Sequence, residues 1–593
     1  MSIFKGIKAE QALWIGCTTL VFLYIVIRAI YNPLSHDEVA TYFHFVQSGE
    51  YLPPQSGIIW DANNHLLNSF FTEIAYNLFG SSSFALRLPN VLSFLIYASS
   101  IAVLARSINN KVIRNLGFIA SITVGYLVEY FALCRGYGLS MALFACALTY
   151  LFKYVSTQQN KHLITLLFVL FLACMANLTL INTYGLVLVL LLFLFALNYT
   201  FYSIKKRWYF VVIILLSIGL MLYPIYFSLQ LKATGALYYG SKTGLWDVTG
   251  KTLTEQVFGT THIVFGFLYL LLIFVAVFLF FRAPVSFKTK LKSPLFLTSY
   301  FILGNILAIY FLVFFLDVNF PEDRAAFYFI PLFLLLTLFV LDRLIKLSYL
   351  SAIFLFFPIY FLTQLNIQGS IFSADERVSD TLHSLILEDN LKHPTVGAYQ
   401  THILCYNYLE QRSGRKSNFA QPYKENDTLQ DYLINKRALV DSVLIFPLYN
   451  LTYQNPETDV CLFKRKKRVQ FDSGKSFKLK DSVIQSEYFN LIEDRISIKT
   501  RALKLNVDLT LLTQTPYFKG NLVFSGRDSL NNEIEYQYIN IDWLYGRQSK
   551  EKKIDQRFVV NTKNMHHYIL YLWNIDKAIT SAKNIELFIE ELN

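Results

Sequence analysis

About eleven apolar stretches, each close to twenty residues long, run through the first two thirds of this sequence, near 11–31, 84–105, 114–133, 136–153, 162–180, 183–203, 208–229, 260–281, 294–316, 325–342 and 347–364. A bilayer core takes about 20 apolar residues per helix. Lipid offers no water to satisfy a backbone, so repeated runs of this length commit the chain to crossing as helices. The expected fold is a polytopic α-helical membrane protein of about 11 transmembrane helices. The first apolar stretch lacks a small-residue cleavage site and is read as a retained helix.

Charge divides the chain in the same way. Charged residues make up 16% of the 593 positions, against about 25% in soluble domains. They are sparse before about residue 365 and frequent after it. The net charge of +12 sits mainly in short Lys and Arg runs between apolar stretches. That placement marks topology determinants rather than a nucleic-acid surface. The six cysteines show no paired spacing. Cys17, Cys134, Cys146 and Cys174 lie in apolar stretches as small core residues, and Cys405 and Cys461 leave a disulfide open.

Loop charge sets the orientation. Lys5/Lys8, Arg106/Lys111/Arg114, Lys153/Lys161, Lys205/Lys206/Arg207, Arg282/Lys288/Lys290/Lys292 and Arg343/Lys346 fall on one set of ends, which the positive-inside bias makes cytoplasmic. The opposite set includes the loop 31–83, which has no Lys or Arg but carries Asp37, Glu38, Glu50, Asp61 and Glu73. The N-terminus is therefore expected in the cytoplasm. An odd number of spans puts the C-terminal part outside, in the periplasm if the cell has an inner and an outer membrane. The expected domains are a membrane module over 1–364 with its first outer loop at 32–83, a small α/β unit over 365–466, and a β-sandwich over 467–593.

The outer face collects the unusual residues. Two amphipathic segments in the first loop read as interfacial helices. His36–Val46 sets Val39, Tyr42, Phe43 and Val46 on one stripe. Asn64–Phe79 alternates Leu66, Leu67, Phe70, Phe71, Ile74 and Leu78 with a polar row of His65, Asn68, Ser69 and Thr72. Asp37 and Glu38 are either helix-start acids stabilised by the dipole or a general base in a partly dehydrated pocket. Arg87, Arg135 and Arg324 stand at outer span ends, where the charge bias disfavours them. They either hold lipid headgroups and neighbouring acids such as Glu322 and Asp323, or clamp a phosphate at the membrane surface.

The order of these residues resembles a known family. Tyr31-Asn-Pro-Leu-Ser-His-Asp37-Glu38 resembles the first-loop acidic motif of the GT-C superfamily of membrane glycosyltransferases. Trp60-Asp61-Ala-Asn-Asn-His65-Leu-Leu-Asn68 resembles the H-P-P-L segment of its protein mannosyltransferase and aminoarabinose transferase branch, with Leu66 and Leu67 in place of the prolines. Phe79-Gly80 with Arg87-Leu-Pro-Asn90, Cys134-Arg135-Gly136-Tyr137-Gly-Leu-Ser140, and Pro321-Glu-Asp-Arg324 followed by Pro331 resemble further motifs of that branch. The likeness covers about residues 10–345. It implies an inverting transfer of a hexose or pentose from a polyprenyl-phosphate donor to a protein, glycolipid or polysaccharide acceptor. Asp37 would be the base with Glu38 as helper or alternative. Arg135, Tyr137, Arg324 and Arg87 would hold donor phosphate or sugar, and Asp61, Asn64 and His65 would line the cavity. No Lys adjoins His65, so arginine would supply the phosphate-binding charge. The family leaves a divalent metal, Mg or Mn, open, and no ligand spacing here decides it.

The tail shows a helical pattern at Arg377–Leu391 and strand-like runs at Thr395–Ala398, Ser442–Phe446 and Val460–Phe463. Period-two alternation follows at 504–511, 521–524, Tyr536–Trp543 and Tyr568–Trp573, with turns at Ser525-Gly526 and Asn531-Asn532. Trp543, Tyr545 and Trp573 are either core aromatics or a sugar surface. The run Lys464–Arg468 reads as a solvated turn or a lipid contact. A transporter or flippase for lipid-linked glycans would show internal repeats and mid-span charges, and neither is seen. A non-catalytic assembly protein is the third reading.

Overall fold

The computed structural model describes residues 9–593 except 54–59, 200–201, 371–375, 390, 415–418, 423–427, 473, 498 and 548–549. The first loop follows α1 (Ala9–Tyr31) and contains α2 (His36–Thr41), a π-helical turn (Tyr42–Val46) and α3 (Leu66–Phe79). The bundle continues through α4 (Ser83–Ala105), α5 (Lys111–Ile122), α6 (Gly125–Phe131), α7 (Gly136–Thr157), α8 (Asn160–Ala176) and α9 (Ile181–Leu197). It closes with α10 (Ile204–Ala233), α11 (Lys251–Phe258), α12 (Val264–Arg282), α13 (Phe287–Lys290), α14 (Pro294–Leu316), α15 (Phe329–Arg343) and α16 (Phe356–Thr363).

Helix occupies every expected span, but the lengths differ. Among the described residues eight helices are long and apolar enough to cross a bilayer, and α5 with α6 makes a ninth as a pair bent by 52°. The other two expected spans, α8 and α15, are 17 and 15 residues long. Both are shortened at the end that carries polar residues, Asn177 before α9 and Asp323–Ala326 before α15. Large apolar side chains such as Leu20, Leu216, Phe274 and Phe314 lie exposed along the bundle, a belt that lipid covers. The chain is a multi-pass membrane protein.

The loop helices lie close to the expected extents. Val39, Tyr42, Phe43 and Val46 are buried as one stripe. In α3, Asn68, Ser69 and Thr72 are buried together with His65 at its start and Leu66 and Leu67 in its first turn, while Phe70, Phe71, Ile74 and Leu78 are exposed. At a membrane boundary the apolar row belongs outside, so the polar row is free to build the interior.

Strands β1 (Val396–Ala398), β2 (Gln421–Pro422), β3 (Tyr432–Lys436), β4 (Tyr449–Gln454) and β5 (Val460–Arg465) form a mixed sheet in the order β2-β1-β3-β5-β4. It packs with α17 (Asp380–Glu388) and α18 (Gln400–Arg412). Ser442–Phe446 is not a strand. Asp441 accepts from the Val443 and Leu444 amides, and this cap starts α19 (Ser442–Leu448).

The remaining strands are β6 (Lys475–Leu479), β7 (Ser482–Ile484), β8 (Tyr488–Arg495), β9 (Ala502–Thr513), β10 (Gly520–Arg527), β11 (Glu533–Asn540), β12 (Glu551–Asn561), β13 (His567–Asn574) and β14 (Thr580–Leu592). They make two antiparallel sheets, β11-β10-β13-β8 and β12-β9-β14-β6, the sandwich expected from the alternation. Ser525-Gly526 lies inside β10 beside a register shift, and the turn falls at Asn531, whose φ is +67°. The alternation at Tyr536–Trp543 stops at Asn540, and α20 (Ile541–Tyr545) takes over. Cys405 and Cys461 are free thiols.

The tail sits directly on the first loop. Trp543 stacks on Phe43 at 4.9 Å, Tyr42 donates to Gln411 Oε1 at 3.0 Å, and Tyr408 donates to the Ser81 carbonyl at 2.6 Å. Arg547 pairs with Glu73 at 3.0 Å and packs where a Cβ on Gly49 would stand. The run Lys464–Arg468 serves the tail itself: Lys464 pairs with Asp389 and Arg468 with Asp431.

Candidate active site

The site is built at the start of α2. Ser35 caps the helix: its hydroxyl accepts from the Glu38 amide while Glu38 accepts from the Ser35 amide at 2.9 Å. This box fixes the directions of two neighbouring acids. Residues one apart on a helix do not share a face, so Asp37 and Glu38 diverge.

Glu38 turns inward and is fully buried. Arg87 of α4 donates to it twice, Nε to Oε1 at 2.7 Å and Nη2 to Oε2 at 2.8 Å. The Cys134 amide adds a third bond at 2.7 Å. Burial alone would raise this carboxyl, but Arg87, with Arg377 nearby, holds it at about 2. Arg87 also donates to the carbonyls of Ala29, Asn32 and Pro33. The sequence placed Glu38 in the catalytic set and Arg87 among the phosphate ligands. The structure corrects both: each is saturated by the other, with no exposed side-chain surface on either. Together they join the α1–α2 connection to α4 and to the residue before Arg135.

Asp37 turns outward and retains 24% side-chain exposure. Arg135 Nη2 lies 3.2 Å from its Oδ2 and Arg324 Nη2 lies 3.6 Å from the same atom. Three residues separated by about 100 and then about 190 positions thus converge on one carboxylate oxygen, as loop order alone suggested. Arg135 is 2% exposed in its side chain and also donates to Asn63 Oδ1, and its Nε–H has no hydrogen-bond partner among the described residues. Asn63 Nδ2 in turn donates to the Asp37 carbonyl at 3.2 Å. Asp61 accepts from the Asn63 amide at 2.8 Å, so its carboxylate shapes the turn that presents Asn63.

Close packing sets the back wall. A Cβ on Gly136 would stand 2.2 Å from the Ala176 carbonyl and 2.6 Å from His65 Cβ, so only glycine lets α7 start here. His65 Nδ1 meets that carbonyl at 2.9 Å, which requires a proton on Nδ1. Burial, and then the charge of Arg135, keep its imidazole well below its ordinary range, so the ring is neutral and Nε2 is a lone-pair acceptor. Tyr137 stands edge-on to His65 at 4.6 Å and beneath the Arg135 guanidinium at 5.8 Å. Asn64 does not line the site: it donates to the Tyr51 carbonyl and accepts from Ser69, both within the loop.

Arg324 is held from a third side. Tyr239 accepts from it at 3.3 Å and offers its ring face at 4.7 Å, and Asp323 lies 4.0 Å away. Asp323 accepts from Tyr126 and its backbone amide donates to Thr252 at 2.9 Å. Arg135 at the start of α7 and Arg324 ahead of α15 therefore meet around one carboxylate.

Sequence reasoning missed Asn63, Tyr239 and a buried ion pair between Arg28 and Glu129 at 2.6 Å. The last had a signal: Arg28 and Glu129 are isolated charges within apolar stretches. No group of three or more His, Cys, Asp or Glu placed to hold a metal ion is found among the described residues.

No family model matches the chain, and no curated relative matches it. Among solved structures it is similar to ArnT from Cupriavidus metallidurans bound to undecaprenyl phosphate, with a TM-score of 0.44 at 10% identity over 76% of this chain and 97% of that one. It is similar to the apo oligosaccharyltransferase of Archaeoglobus fulgidus, with a TM-score of 0.45 at 9% identity over 100% of this chain and 98% of that one. It is also similar to the arabinosyltransferase EmbB from Mycobacterium smegmatis, with a TM-score of 0.34 at 9% identity over 97% and 64% of the two chains.

Proposed function

We propose that this protein is a glycosyltransferase that moves a hexose or pentose from a polyprenyl-phosphate donor to an acceptor at the extracytoplasmic face of the cell membrane, the inner one where there are two. The observation that carries this reading is the meeting of Arg135 and Arg324 on Asp37 at the ends of membrane helices. A lipid-linked sugar phosphate keeps its tail in the bilayer and its reactive carbon at the interface. An enzyme for it needs guanidinium groups at phosphate depth and a carboxylate beside them.

The arrangement also suggests an order of events. Asp37 is a counter-charge of both arginines. A donor phosphate takes over that role and leaves a carboxylate oxygen free to act as base. The acceptor hydroxyl then gives its proton to Asp37 and its oxygen bonds to the anomeric carbon. The carbon–oxygen bond to phosphate breaks from the opposite face, which inverts the centre. Polyprenyl phosphate leaves with the electron pair, and Arg135 and Arg324 hold the charge it carries. His65 Nε2, a buried acceptor beside Tyr137, is the proposed partner of a sugar hydroxyl. Protein, glycolipid and polysaccharide acceptors all supply the required nucleophile.

The deciding experiment is sugar transfer by Asp37→Asn in reconstituted membranes. Transfer should fall by about 1,000-fold or more, the upper range for losing a general base, with undecaprenyl phosphate still bound. Full activity in that variant would remove Asp37 as base. Net movement of lipid-linked glycan across the bilayer without transfer would favour a flippase instead.

A further inference from the structure

The connection between α1 and α2 is where the tail grips the membrane region. Arg377, just ahead of α17, donates from Nη1 to Asn32 Oδ1 at 2.8 Å and to the Pro33 carbonyl, and from Nη2 to Ser370 Oγ at 2.9 Å. One residue on, Cys405 of α18 faces the Leu34 carbonyl at 3.6 Å. His36 Nδ1 meets the Thr401 carbonyl at 3.1 Å. Asn32, Pro33, Leu34 and His36 are thus each bonded to the tail, Ser35 caps α2, and Asp37 comes next.

This grip has a cost that a mere tether would avoid. Arg377 is 4% exposed and shares its surroundings with Arg87, a like charge. Burial first, and Arg87 against the attraction of Glu38, draw the Arg377 guanidinium down to about 10, so it stays charged at neutral pH. Burying a further guanidinium is expensive unless its donors are matched, and here Nη1 serves two groups on the connection while Nη2 serves Ser370 across the fork. A lysine could supply the charge but not the fork.

We infer that Arg377 is a positioning residue for Asp37, so that the C-terminal region completes the active site. The inference rests on the glycosyl-transfer reading of Asp37. Arg377 acts through residues 32–36: it sets where the connection ends, and that sets where the α2 carboxylate stands relative to Arg135 and Arg324. Placement errors of about 1 Å cost roughly 100-fold in turnover.

The test uses the full chain in lipid nanodiscs and compares Arg377→Gln and Arg377→Lys with wild type. Three quantities are measured: undecaprenyl phosphate binding, its release from polyprenyl-phosphate sugars extracted from host membranes, and amide exchange over residues 36–41. Arg377→Gln should lower turnover by about 100-fold and change phosphate affinity by less than about threefold, a split that general unfolding would not give. Exchange over 36–41 should rise while exchange over 137–142 does not. Arg377→Lys should recover only part of the turnover. Unchanged exchange over 36–41 in Arg377→Gln, or phosphate binding lost in step with turnover, overturns the inference. If Arg377→Gln does not insert, wild-type turnover in Arg377→Lys overturns it as well. Failure of the underlying reading looks different: Asp37→Asn would then be fully active whatever Arg377 does.

Discussion

Asp37 and Glu38 are adjacent acids with opposite surroundings, and the contrast is between a closed ion pair and an open one. Glu38 has no exposed side-chain surface and receives two bonds from Arg87 and two from backbone amides. Asp37 keeps 24% exposure and shares one oxygen between two arginines at 3.2 and 3.6 Å. A saturated, buried pair can only hold things in place. A looser and partly wet pair can exchange its partner for a ligand. The buried pair also ties the backbone just ahead of both members of the open one, at residue 35 before Asp37 and residue 134 before Arg135.

The strongest way to break this comparison is to remove one partner of the buried pair. Glu38→Ala or Arg87→Ala leaves the other charge unmatched in the interior, at a cost of about 3–5 kcal/mol. Thermal unfolding of the purified protein in detergent should show it, while Asp37→Asn should unfold near wild type. Equal losses for Glu38→Ala and Asp37→Asn would erase the distinction.

A smaller effect sharpens the open pair. Arg324 has 16% side-chain exposure and leans on Tyr239, whereas the Arg135 side chain is 2% exposed and also donates to Asn63. Replacing either by Lys keeps a cation but loses the fork, which should weaken undecaprenyl phosphate binding about 10-fold, the equivalent of one good charge-assisted bond. The loss should be larger at Arg135, whose second bond orders the loop turn. A titration of each variant at fixed ionic strength checks it, and no change in either would detach the arginines from phosphate.

How much of this was legible follows from what local order can carry. Spans, interfacial helices and the sandwich are periodic, so runs such as Leu505, Val507, Leu509 and Leu511 declared their faces directly. The convergence of Asp37, Arg135 and Arg324 was legible because the charge bias disfavours arginine at the span ends assigned as outer, where the loop 31–83 supplies acids. Which of two neighbouring acids faces the site was not, since it depends on Arg87, 49 residues away. Ser442–Phe446 misled because five apolar-rich residues fit either period, and the Asp441 cap decided the matter.

Asp542 supplies the third fate of a carboxylate and the smallest expected effect. It is buried like Glu38 but has Tyr517 rather than arginine as its side-chain partner, at 3.1 Å. Burial, only partly offset by Tyr517, Lys519 and Lys552, raises it to about 7. A folded-state value above the ordinary one means the folded tail binds a proton that the unfolded tail releases. The resulting stability is therefore complete in acid and drains away as pH rises toward 7, by about 1 kcal/mol between pH 6 and pH 7. Above that range the curve should flatten. The helix concerned, α20, carries Trp543, whose carbonyl accepts from Gln47 and Gln411, so its loosening should be felt where the tail meets the first loop. Trypsin cleavage at Arg547 should accelerate from pH 6 to pH 8 beyond the protease's own pH dependence, and Asp542→Asn should remove the excess. Glu38 gives the opposite profile: held at about 2, its contribution is complete above the ordinary carboxylate range and is lost only as pH falls toward 2. Identical pH responses in the two regions would mean that arginine pairing is not what separates them.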